Sequence, residues 1–325
     1  MPNQIVTTNL EVASGTALVV PSDGYQTQIN QGVIVSTGNG NAVEMQGTPA
    51  GGAGWAVLTN EGQIFTTNGM AAVNATPDHC LIGNDGLIRG APNQYSLILT
   101  GLHTTLYNQA TGKIIGNISS DGATIHNTGS ITGNVVSQAD AEEEVHNAGS
   151  LFGDVMLGDG NDLYDGRGGL MHGVIGGQGG TDTLLGGDGD ETFEGGGGRD
   201  LIRGGLGDDE IDGGAGKDTV RGGGGADNFV FANRGKADRV LDFSQSEDSL
   251  LLDGTVWKGL GGKGGLKSSA FNLGSKATEM DDRILYDAET GALRHDANGD
   301  KAGGVTAIAR LDPNLSLGHQ HFEII

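Results

Sequence analysis

The sequence has little cysteine, proline, aromatic character or positive charge. Its 325 residues contain 1 cysteine, 6 prolines and 18 lysines and arginines against 41 aspartates and glutamates, for a formal net charge of −23. The single cysteine, Cys80, cannot form an internal disulfide bond. The negative charge repels phosphate backbones, so no nucleic-acid partner is expected. No apolar run approaches the roughly 18 residues of a transmembrane helix, and the first residues lack the basic and apolar regions of a secretory signal peptide.

Glycine, in contrast, is abundant, with 62 residues. The glycines follow no three-residue period and proline is scarce, which excludes a collagen-like chain. An acidic, glycine-rich chain can also be disordered. The glycines recur at a fixed spacing, however, and such a period is the sequence signature of a repeat architecture.

The clearest repeat lies at residues 177–230, which read as six consecutive nonamers. Position 4 is always glycine, position 6 is always acidic and position 8 is always apolar. The acidic residues are Asp182, Glu191, Asp200, Asp209, Asp218 and Asp227. The apolar residues are Leu184, Phe193, Ile202, Ile211, Val220 and Phe229. This pattern matches the G-G-x-G-x-D-x-U-x repeat of a parallel β-roll that binds calcium, and the chain here resembles the repeats-in-toxin (RTX) family of secreted bacterial proteins.

Two nonamers form one coil of such a roll, so residues one coil apart stack on the same edge. The acidic residues then form two columns, which are Asp182–Asp200–Asp218 and Glu191–Asp209–Asp227. Stacked carboxylates repel one another unless a cation lies between them, and Ca²⁺ takes about six to eight oxygen ligands. We therefore predict several calcium ions along the columns. Glu191 departs from the aspartate of the family pattern, and its longer side chain puts that one site in question.

The resemblance implies that carbonyl groups of the glycine-rich turns complete each calcium site. The glycines assigned to these turns are Gly177, Gly180, Gly186, Gly187, Gly189, Gly195, Gly196, Gly198, Gly204, Gly205, Gly207, Gly213, Gly214, Gly216, Gly222, Gly223 and Gly225. A seventh, isolated copy stands upstream, where Asp162 is the expected metal ligand. The step from Asp162 to Asp182 is longer than the step from Asp182 to Asp200, which relates this copy to the longer period of the N-terminal half.

Residues 1–155 carry a weaker repeat, N-x-G-x-[I/L], whose asparagines are Asn30, Asn60, Asn84, Asn127 and Asn147, with a looser copy at Asn108. The surrounding Thr, Val, Ile, Ser and Asn suit short strands and turns, and no stretch has a helical period. The pattern predicts a β-solenoid with coils of about 20–30 residues that shorten toward the C-terminus. It resembles the β-helical segments of bacterial surface proteins. A β-sandwich or jelly roll is the alternative.

Segments 229–231, 238–243 and 247–252 resemble the region that closes the roll in serralysin-type proteases and their relatives, and segments 281–288, 290–293 and 296–299 resemble the hairpins that follow it there. The last residues, 321–325, resemble the uncleaved signal read by type I secretion machinery, which makes that machinery an expected partner. The resemblance implies export of an unfolded chain from a calcium-poor cytosol. Folding would follow outside the cell, where calcium modules bind the ion at roughly 10⁻⁴–10⁻³ M.

The catalytic signatures of the enzymatic relatives are absent from the sequence. None of the 8 histidines stands in the H-E-x-x-H pattern of a serralysin, and the G-x-S-x-G lipase elbow is missing. A polysaccharide lyase or epimerase has no short signature, so this alternative stays open. Residues 1–155, however, contain only Arg89 and Lys113 as cations that could stabilise a developing carboxylate charge, unless bound Ca²⁺ takes that role.

Three smaller features have plain structural interpretations. His126 and His146 each stand directly before the asparagine of successive repeats, and we expect a solvated ladder of stacked rings, with a metal site as the alternative. Glu142, Glu143 and Glu144 are expected on a solvated coil edge. Cys80 is expected in a loop with a free thiol.

These observations predict an all-β chain in which a β-solenoid continues into a parallel β-roll with calcium-binding nonapeptide repeats, capped by a small C-terminal β region. The predicted domains are residues 1–155, 156–231 and 232–325. The expected function is that of a secreted, non-enzymatic, calcium-binding structural or adhesive protein of the bacterial cell surface or extracellular matrix. Self-association and binding to surface polysaccharide are further expectations, because solenoid ends are open strand edges and calcium can bridge acidic surfaces.

Overall fold

The structure is a computed structural model that describes residues 3–6, 8–21, 26–46, 55–76, 78–101, 103–137 and 140–325. By its internal contacts the chain divides into two compact units, Met1–Val174 and Ile175–Ile325. The described residues form short β-strands and two single-turn 3₁₀ helices, Ser268–Ala270 and His319–His321, with no α-helix among them. In that part of the chain no helix has the length and apolar character to cross a membrane.

The described residues of the N-terminal unit contain 23 complete strands. They are β1 (Asn3–Val6), β2 (Leu10–Ser14), β3 (Leu18–Val20), β4 (Gln26–Ile29), β5 (Ile34–Asn39), β6 (Val43–Met45), β7 (Ala56–Asn60), β8 (Gln63–Thr66), β9 (Ala71–Asn74), β10 (Cys80–Asn84), β11 (Leu87–Arg89), β12 (Tyr95–Leu99), β13 (Thr105–Asn108), β14 (Lys113–Ile115), β15 (Asn117–Ser120), β16 (Thr124–Asn127), β17 (Ser130–Thr132), β18 (Val135–Ser137), β19 (Glu144–Asn147), β20 (Ser150–Phe152), β21 (Val155–Met156), β22 (Leu163–Asp165) and β23 (Leu170–His172).

From β1 to β20, each strand pairs in parallel with the strand three places further along the chain. The unit therefore has three parallel sheets, and each coil contributes one strand to sheet A (β1, β4 and onward to β22), sheet B (β2, β5 and onward to β23) and sheet C (β3, β6 and onward to β21). Gln26 pairs with Val57 in an early coil, whereas Thr105 pairs with Thr124, much nearer in sequence, in a later one. The predicted solenoid, with coils that shorten toward the C-terminus, is confirmed, and the sandwich alternative is wrong.

The core of this unit is a stack of apolar side chains at equivalent positions of successive coils. In sheet B, one such stack runs through Ile64, Ile88, Ile114, Ile131 and Leu151, and each of these residues is buried. Alternate residues of most strands point outward, because side chains alternate across a β-strand. A single coil cannot bury its apolar row alone, so stability comes from neighbouring coils.

The remaining strands begin at the end of the N-terminal unit and continue through the C-terminal unit. They are β24 (Val174–Gly176), β25 (Gly179–Gly180), β26 (Thr183–Leu185), β27 (Thr192–Glu194), β28 (Gly197–Gly198), β29 (Leu201–Leu206), β30 (Glu210–Asp212), β31 (Ala215–Gly216), β32 (Thr219–Gly224), β33 (Asn228–Phe231), β34 (Asp238–Val240), β35 (Ser249–Leu252), β36 (Gly264–Gly265), β37 (Phe271–Leu273), β38 (Ile284–Asp287), β39 (Ala292–Asp296), β40 (Val305–Arg310) and β41 (Phe322–Ile324).

In the C-terminal unit the apolar segments of the nonamers form two parallel ladders, and the short strands β25, β28 and β31 of the glycine-rich segments form a third. Thr183 aligns with Leu201, and Leu201 aligns with Thr219, in the ladder of β26, β29 and β32. The second ladder consists of β27, β30 and β33. Paired residues occupy the same repeat position two nonamers apart, and all six apolar position-8 side chains are buried. The predicted roll, with two nonamers in each coil, is confirmed.

The rest of this unit covers the end of the roll. β34 and β35 pair in parallel with β32 and β33, and β40 and β41 pair in parallel with β34 and β35 in turn. Strands β38, β39 and β40 form an antiparallel meander. Trp257 is buried beneath these strands, and its indole N–H donates to the Phe231 carbonyl at 2.8 Å. The predicted C-terminal cap is confirmed.

Cys80 corrects one expectation. It lies in strand β10 rather than in a loop, and its side chain is fully buried. Burial, with a contribution from the charge of Asp78, raises the pKa of its thiol to about 11. The thiol is therefore protonated at neutral pH and acts as a small apolar core group.

Candidate metal centre

The acidic residues of the nonamers form two columns that backbone hydrogen bonds connect from coil to coil. The backbone N–H of Asp182 donates to Asp200 Oδ1, and that of Asp200 donates to Asp218 Oδ1, both at 2.9 Å. In the second column, the N–H of Glu191 donates to Asp209 Oδ1 at 2.9 Å, and that of Asp209 to Asp227 Oδ1 at 3.1 Å. The columns predicted from the repeat spacing are thus present, and one oxygen of each acceptor is already in use.

The second carboxylate oxygen of these aspartates has a different environment. The Oδ2 atoms of Asp200, Asp209, Asp218 and Asp227 are buried, and none has a hydrogen-bond partner among the described residues. A buried anionic oxygen without a donor or a cation is costly. Burial accordingly raises the pKa of Asp200 and of Asp209 to about 7, and neighbouring carboxylates add to the increase. The site therefore disfavours its own negative charge until a cation compensates it.

The position-1 glycines face these same oxygens. For the set Gly177, Gly186, Gly195, Gly204, Gly213 and Gly222, an added Cβ would approach a carboxylate oxygen of the acidic residue five positions later. At Gly195, the Cβ would lie 2.9 Å from Asp200 Oδ2 and 2.5 Å from the carbonyl oxygen of Gly213. A carboxylate oxygen and a backbone carbonyl therefore border the same small space, which a side chain would fill.

The position-2 and position-4 glycines allow the turns to stack closely. A Cβ on one of them would collide with the carbonyl oxygen of the matching residue one coil earlier; this holds for Gly196, Gly205, Gly214 and Gly223 and for Gly198, Gly207, Gly216 and Gly225. Their partners are Gln178, Gly187, Gly196 and Gly205, and Gly180, Gly189, Gly198 and Gly207. Most of these glycines also have positive φ, which residues with a Cβ rarely adopt. They shape the turns that hold the carbonyl groups.

The donor set suits a hard cation. Each space offers carboxylate and carbonyl oxygens with no imidazole or thiolate, which is the chemistry that Ca²⁺ prefers and Zn²⁺ does not. In the described part of the chain, no three His, Cys, Asp or Glu side chains converge as a metal-binding group. Side chains alone therefore do not form a complete site in this region, and the neighbouring turn carbonyls offer further oxygens.

Two of the predicted ligands differ from the rest. Glu191 Oε2 accepts a hydrogen bond from the Gly187 N–H at 3.1 Å, so its extra methylene group brings the second oxygen to a donor. Asp162 lies in the N-terminal unit, where its Oδ1 accepts a hydrogen bond from the Glu143 N–H at 2.8 Å. Asp162 thus repeats the geometry of the columns outside the regular nonamers, and burial raises its pKa to about 6.

Sequence reasoning missed three members of this arrangement. Asp238 Oδ1 accepts from the N–H of Asp218 at 2.9 Å, and Asp248 Oδ1 accepts from that of Asp227 at 3.0 Å, so each column extends one residue further. The third is Glu143, which is buried rather than on a solvated edge, whereas Glu142 and Glu144 are exposed. Asp238 and Asp248 each precede a buried apolar residue by two positions, as in the nonamers, and this signal could have identified them.

The histidines of the N-terminal unit form a ladder of rings. His126 and His146 stack with centroids 4.8 Å apart and planes 10° apart, and Tyr107 stacks on His126 at 4.7 Å. Nearly parallel rings do not direct their nitrogens to one common point, so the stacked arrangement favours the surface ladder. Burial and the charge of His146 lower the pKa of His126.

Comparison with protein families matches the RTX calcium-binding nonapeptide repeat (4 copies) at residues 175–202 and 194–229. Among solved structures, the chain is similar to a subunit of the mannuronan C5-epimerase from Azotobacter vinelandii, with 30% sequence identity over 44% of this chain and 77% of that chain, and a TM-score of 0.32. A search of curated proteins gave no match. The family match covers the nonamers and the columns that they form.

Proposed function

Because the chain belongs to the RTX calcium-binding repeat proteins, we propose that it is a secreted structural or adhesive protein that folds on calcium outside the bacterial cell. The observation that carries the proposal is the set of buried carboxylate oxygens at Asp200, Asp209, Asp218 and Asp227, which face glycine turns and have no donor among the described residues. When they are ionised, such carboxylates oppose folding of the roll unless a cation is bound.

The ligands that we assign are the position-6 carboxylates and the carbonyl groups of the glycine turns. Asp182, Asp200 and Asp218 serve one column, and Asp209 and Asp227 serve the other. Asp162 is assigned as an outlying ligand, and Glu191 as a weaker one because Gly187 already satisfies its second oxygen. Bound Ca²⁺ supplies charge compensation, and the chain's own contribution is to hold the oxygens at a fixed spacing.

Calcium concentration then decides whether the roll folds. In a calcium-poor cytosol the carboxylates keep their charge by staying solvated, which opposes burial. Outside the cell, binding free energy becomes folding free energy. We assign residues 156–231 as the calcium module, residues 232–325 as the cap with the export signal, and residues 1–155 as the surface for adhesion or assembly. No catalytic residue is assigned.

Circular dichroism during a calcium titration tests the proposal. The wild-type roll should gain β signal as calcium rises and lose it on chelation. The Asp200→Ala/Asp218→Ala variant should need several times more calcium, because one column loses two carboxylates. The Glu194→Ala/Glu210→Ala variant removes the same charge from exposed strand positions and should titrate like the wild type.

A glycine pair separates site geometry from charge in the same titration. Gly195→Ala places a methyl group against Asp200 Oδ2 and the Gly213 carbonyl, and should raise the calcium midpoint severalfold. Gly197→Ala meets nothing closer than 3.8 Å and should leave the midpoint unchanged. A β signal that does not rise with calcium, or equal midpoints in all variants, would contradict the proposed function.

A further inference from the structure

The outer face of sheet B in the N-terminal unit differs from the rest of that unit in charge. Six of its eight strands, β8, β11, β14, β17, β20 and β23, contain no Asp or Glu, although residues 1–174 contain 15 acidic residues; Glu11 lies in β2, at the far end of the sheet. The same strands hold Arg89 and Lys113, two of the three Lys or Arg residues in that range. Both are exposed. The third, Arg167, is paired with Asp165 at 2.7 Å.

Exposed apolar and aromatic side chains lie beside these cations. Strand register places Phe65, Arg89, Ile115, Thr132, Phe152 and His172 in one column across six adjacent strands. Ile115 and Phe152 are each 42% exposed. At about 4.8 Å between strands, the column is roughly 24 Å long. Phe65, Arg89, Lys113, Ile115, Phe152 and His172 together are called the Arg89 face.

The rings and cations of the Arg89 face are ordered by contacts with each other. The Arg89 guanidinium carbon lies 5.1 Å from the centroid of the Phe65 ring, a cation–π arrangement that holds the charged group over the sheet. The rings of Phe152 and His172 stack at 5.1 Å with planes 12° apart. Lys113 aligns with Leu87 in the neighbouring outward column. The face therefore presents flat apolar surfaces and two separated positive charges.

A groove of about 510 Å³ borders the Arg89 face. One wall is the turn Ala91–Gln94, in which the Gln94 N–H donates to the Ala91 carbonyl at 3.0 Å and Asn93 has a φ of 59°. In the following coil, only Gly116 separates strand β14 from strand β15. The turn Ala91–Gln94 therefore makes this corner longer than the equivalent corner of the next coil. Polar groups of Thr67, Asn93, Gln94 and Asn117 line the groove together with Arg89.

We propose that the Arg89 face and its groove bind an anionic polysaccharide of the polyuronate class. The carboxylates of two sugar units would pair with Arg89 and Lys113. The apolar faces of the sugar rings would pack on Phe65 and Phe152, and the amide groups of the groove would bond to hydroxyls. The inference deepens the adhesive part of the proposed function and rests on it for the extracellular setting alone.

The chemistry of the Arg89 face disfavours other anionic polymers. Double-stranded nucleic acid carries one charge per about 1.7 Å, which two cations would not balance. An acidic peptide that adds a strand requires a sheet edge, whereas the Arg89 face lies on the outer surface of paired strands. A polyuronate has widely spaced carboxylates and apolar ring faces, and it fits both features.

The test is binding of short oligouronates, chosen to avoid gel formation, to the full-length calcium-loaded protein by titration calorimetry. Arg89→Gln/Lys113→Gln should lower the affinity by about tenfold or more, since it removes two charge-assisted hydrogen bonds to the sugar carboxylates. Lys263→Gln/Lys276→Gln removes two exposed cations of the C-terminal unit and should bind like the wild type. Phe152→Ala should weaken binding without changing its dependence on salt.

Neutral glucan oligomers should bind at least tenfold more weakly than oligouronates. Equal affinity for both sugars, no binding to either, or full affinity in Arg89→Gln/Lys113→Gln would overturn the inference. A wild-type dimer in calcium that becomes monomeric in Phe152→Ala would also overturn it, because a second copy would then cover the face. The calcium transition of each sample is recorded by circular dichroism, so failure of sugar binding is distinguished from failure of calcium-driven folding.

Discussion

Each position-6 aspartate uses its two carboxylate oxygens differently. In Asp200, Asp209, Asp218 and Asp227, Oδ1 accepts a backbone N–H from the preceding coil, and Oδ2 faces a glycine turn. The periodic sequence predicts which aspartates align, because every side chain recurs one coil later. It does not predict which oxygen accepts the N–H and which faces the turn, because that depends on the side-chain χ angles and on the distance between stacked turns.

The raised pKa values predict an unusual dependence on pH in the absence of calcium. An acid whose pKa rises on folding binds protons more tightly in the folded state, so its contribution favours folding below the unfolded pKa near 4. That contribution is lost as pH rises through the folded values, which are about 6 for Asp227 and about 7 for Asp200 and Asp209. In chelator, the roll should resist urea better at pH 5 than at pH 7.5.

With calcium present, the roll should instead be more stable at pH 7.5 than at low pH, because protons compete with the ion for the same oxygens. The calcium midpoint should rise when pH falls from 7.5 to 5.5. The Asp200→Ala/Asp218→Ala variant should show a smaller dependence on pH both in chelator and in the calcium titration. Urea denaturation followed by circular dichroism at each pH makes the measurement. A stability without calcium that increases from pH 5 to 7.5 would show that the buried carboxylates are not the dominant titrating groups.

At the scale of strands and coils, the N-terminal unit is held by a ladder of buried amides. The side-chain Nδ2 of Asn60 donates to Oδ1 of Asn84, and the pattern continues through Asn108, Asn127 and Asn147 at 2.7–2.8 Å. All five asparagines are buried. The N-x-G-x-[I/L] repeat correctly predicted the coils. It did not show that asparagine points inward, because a polar residue beside glycine is more often a turn residue in solvent.

Asn127→Ala tests the ladder. Asn127 accepts from Asn108 and donates to Asn147 and to the Ser150 carbonyl, so its loss leaves buried amide groups without partners. We expect a loss of about 2–4 kcal/mol in unfolding free energy, at roughly 1–3 kcal/mol for each unsatisfied group. His126→Ala changes the adjacent, partly exposed position and should cost less than about 1 kcal/mol. Chemical denaturation at fixed calcium gives both values, and equal losses would argue against the ladder.

Irregular coils explain the acidic residues that the repeat did not reveal. Asp238 and Asp248 continue the columns, but each follows its predecessor by more than two nonamers because segments outside the nonamer pattern intervene.

Glu143 sits in a run of three glutamates, and only its burial distinguishes it from its neighbours. Its carboxylate accepts from the Ser120 hydroxyl at 2.7 Å and from the backbone N–H groups of Gly122 and Ala123. Burial nevertheless raises its pKa to about 7. Such residues can be identified only when the pairing between neighbouring coils is known, and the sequence period alone does not give that pairing.

At the scale of the whole molecule, the charge is distributed unevenly. Residues 154–253 contain 21 acidic and 8 basic residues, and much of this excess lies in the two columns. Bound calcium would compensate charge where it is most concentrated. The sequence therefore predicted the class of fold and the ion from composition and period together, whereas the Arg89 face emerged only from the alignment of strands that are distant in sequence.

The proposed export route predicts the fate of a shortened chain. In a bacterial host with type I secretion machinery, the full chain should appear in the medium, and deletion of residues 321–325 should retain it in the cells, because the proposed signal is lost. Deletion of the exposed loop 301–304 should leave export intact. Immunoblots of medium and cell fractions measure both, and export of the chain without residues 321–325 would contradict the assignment.

The last strand of the fold carries a consequence for the timing of export. Phe322 and Ile324 of β41 are buried, and β41 pairs in parallel with β35 in the sheet that covers the roll. A molecule that has folded around calcium thus conceals the segment proposed to be read by the exporter. Calcium-driven folding and recognition by the exporter would therefore compete for the same residues. A chain that folds on calcium before export would stay inside the cell, and a chain that folds outside would no longer be recognised by the exporter.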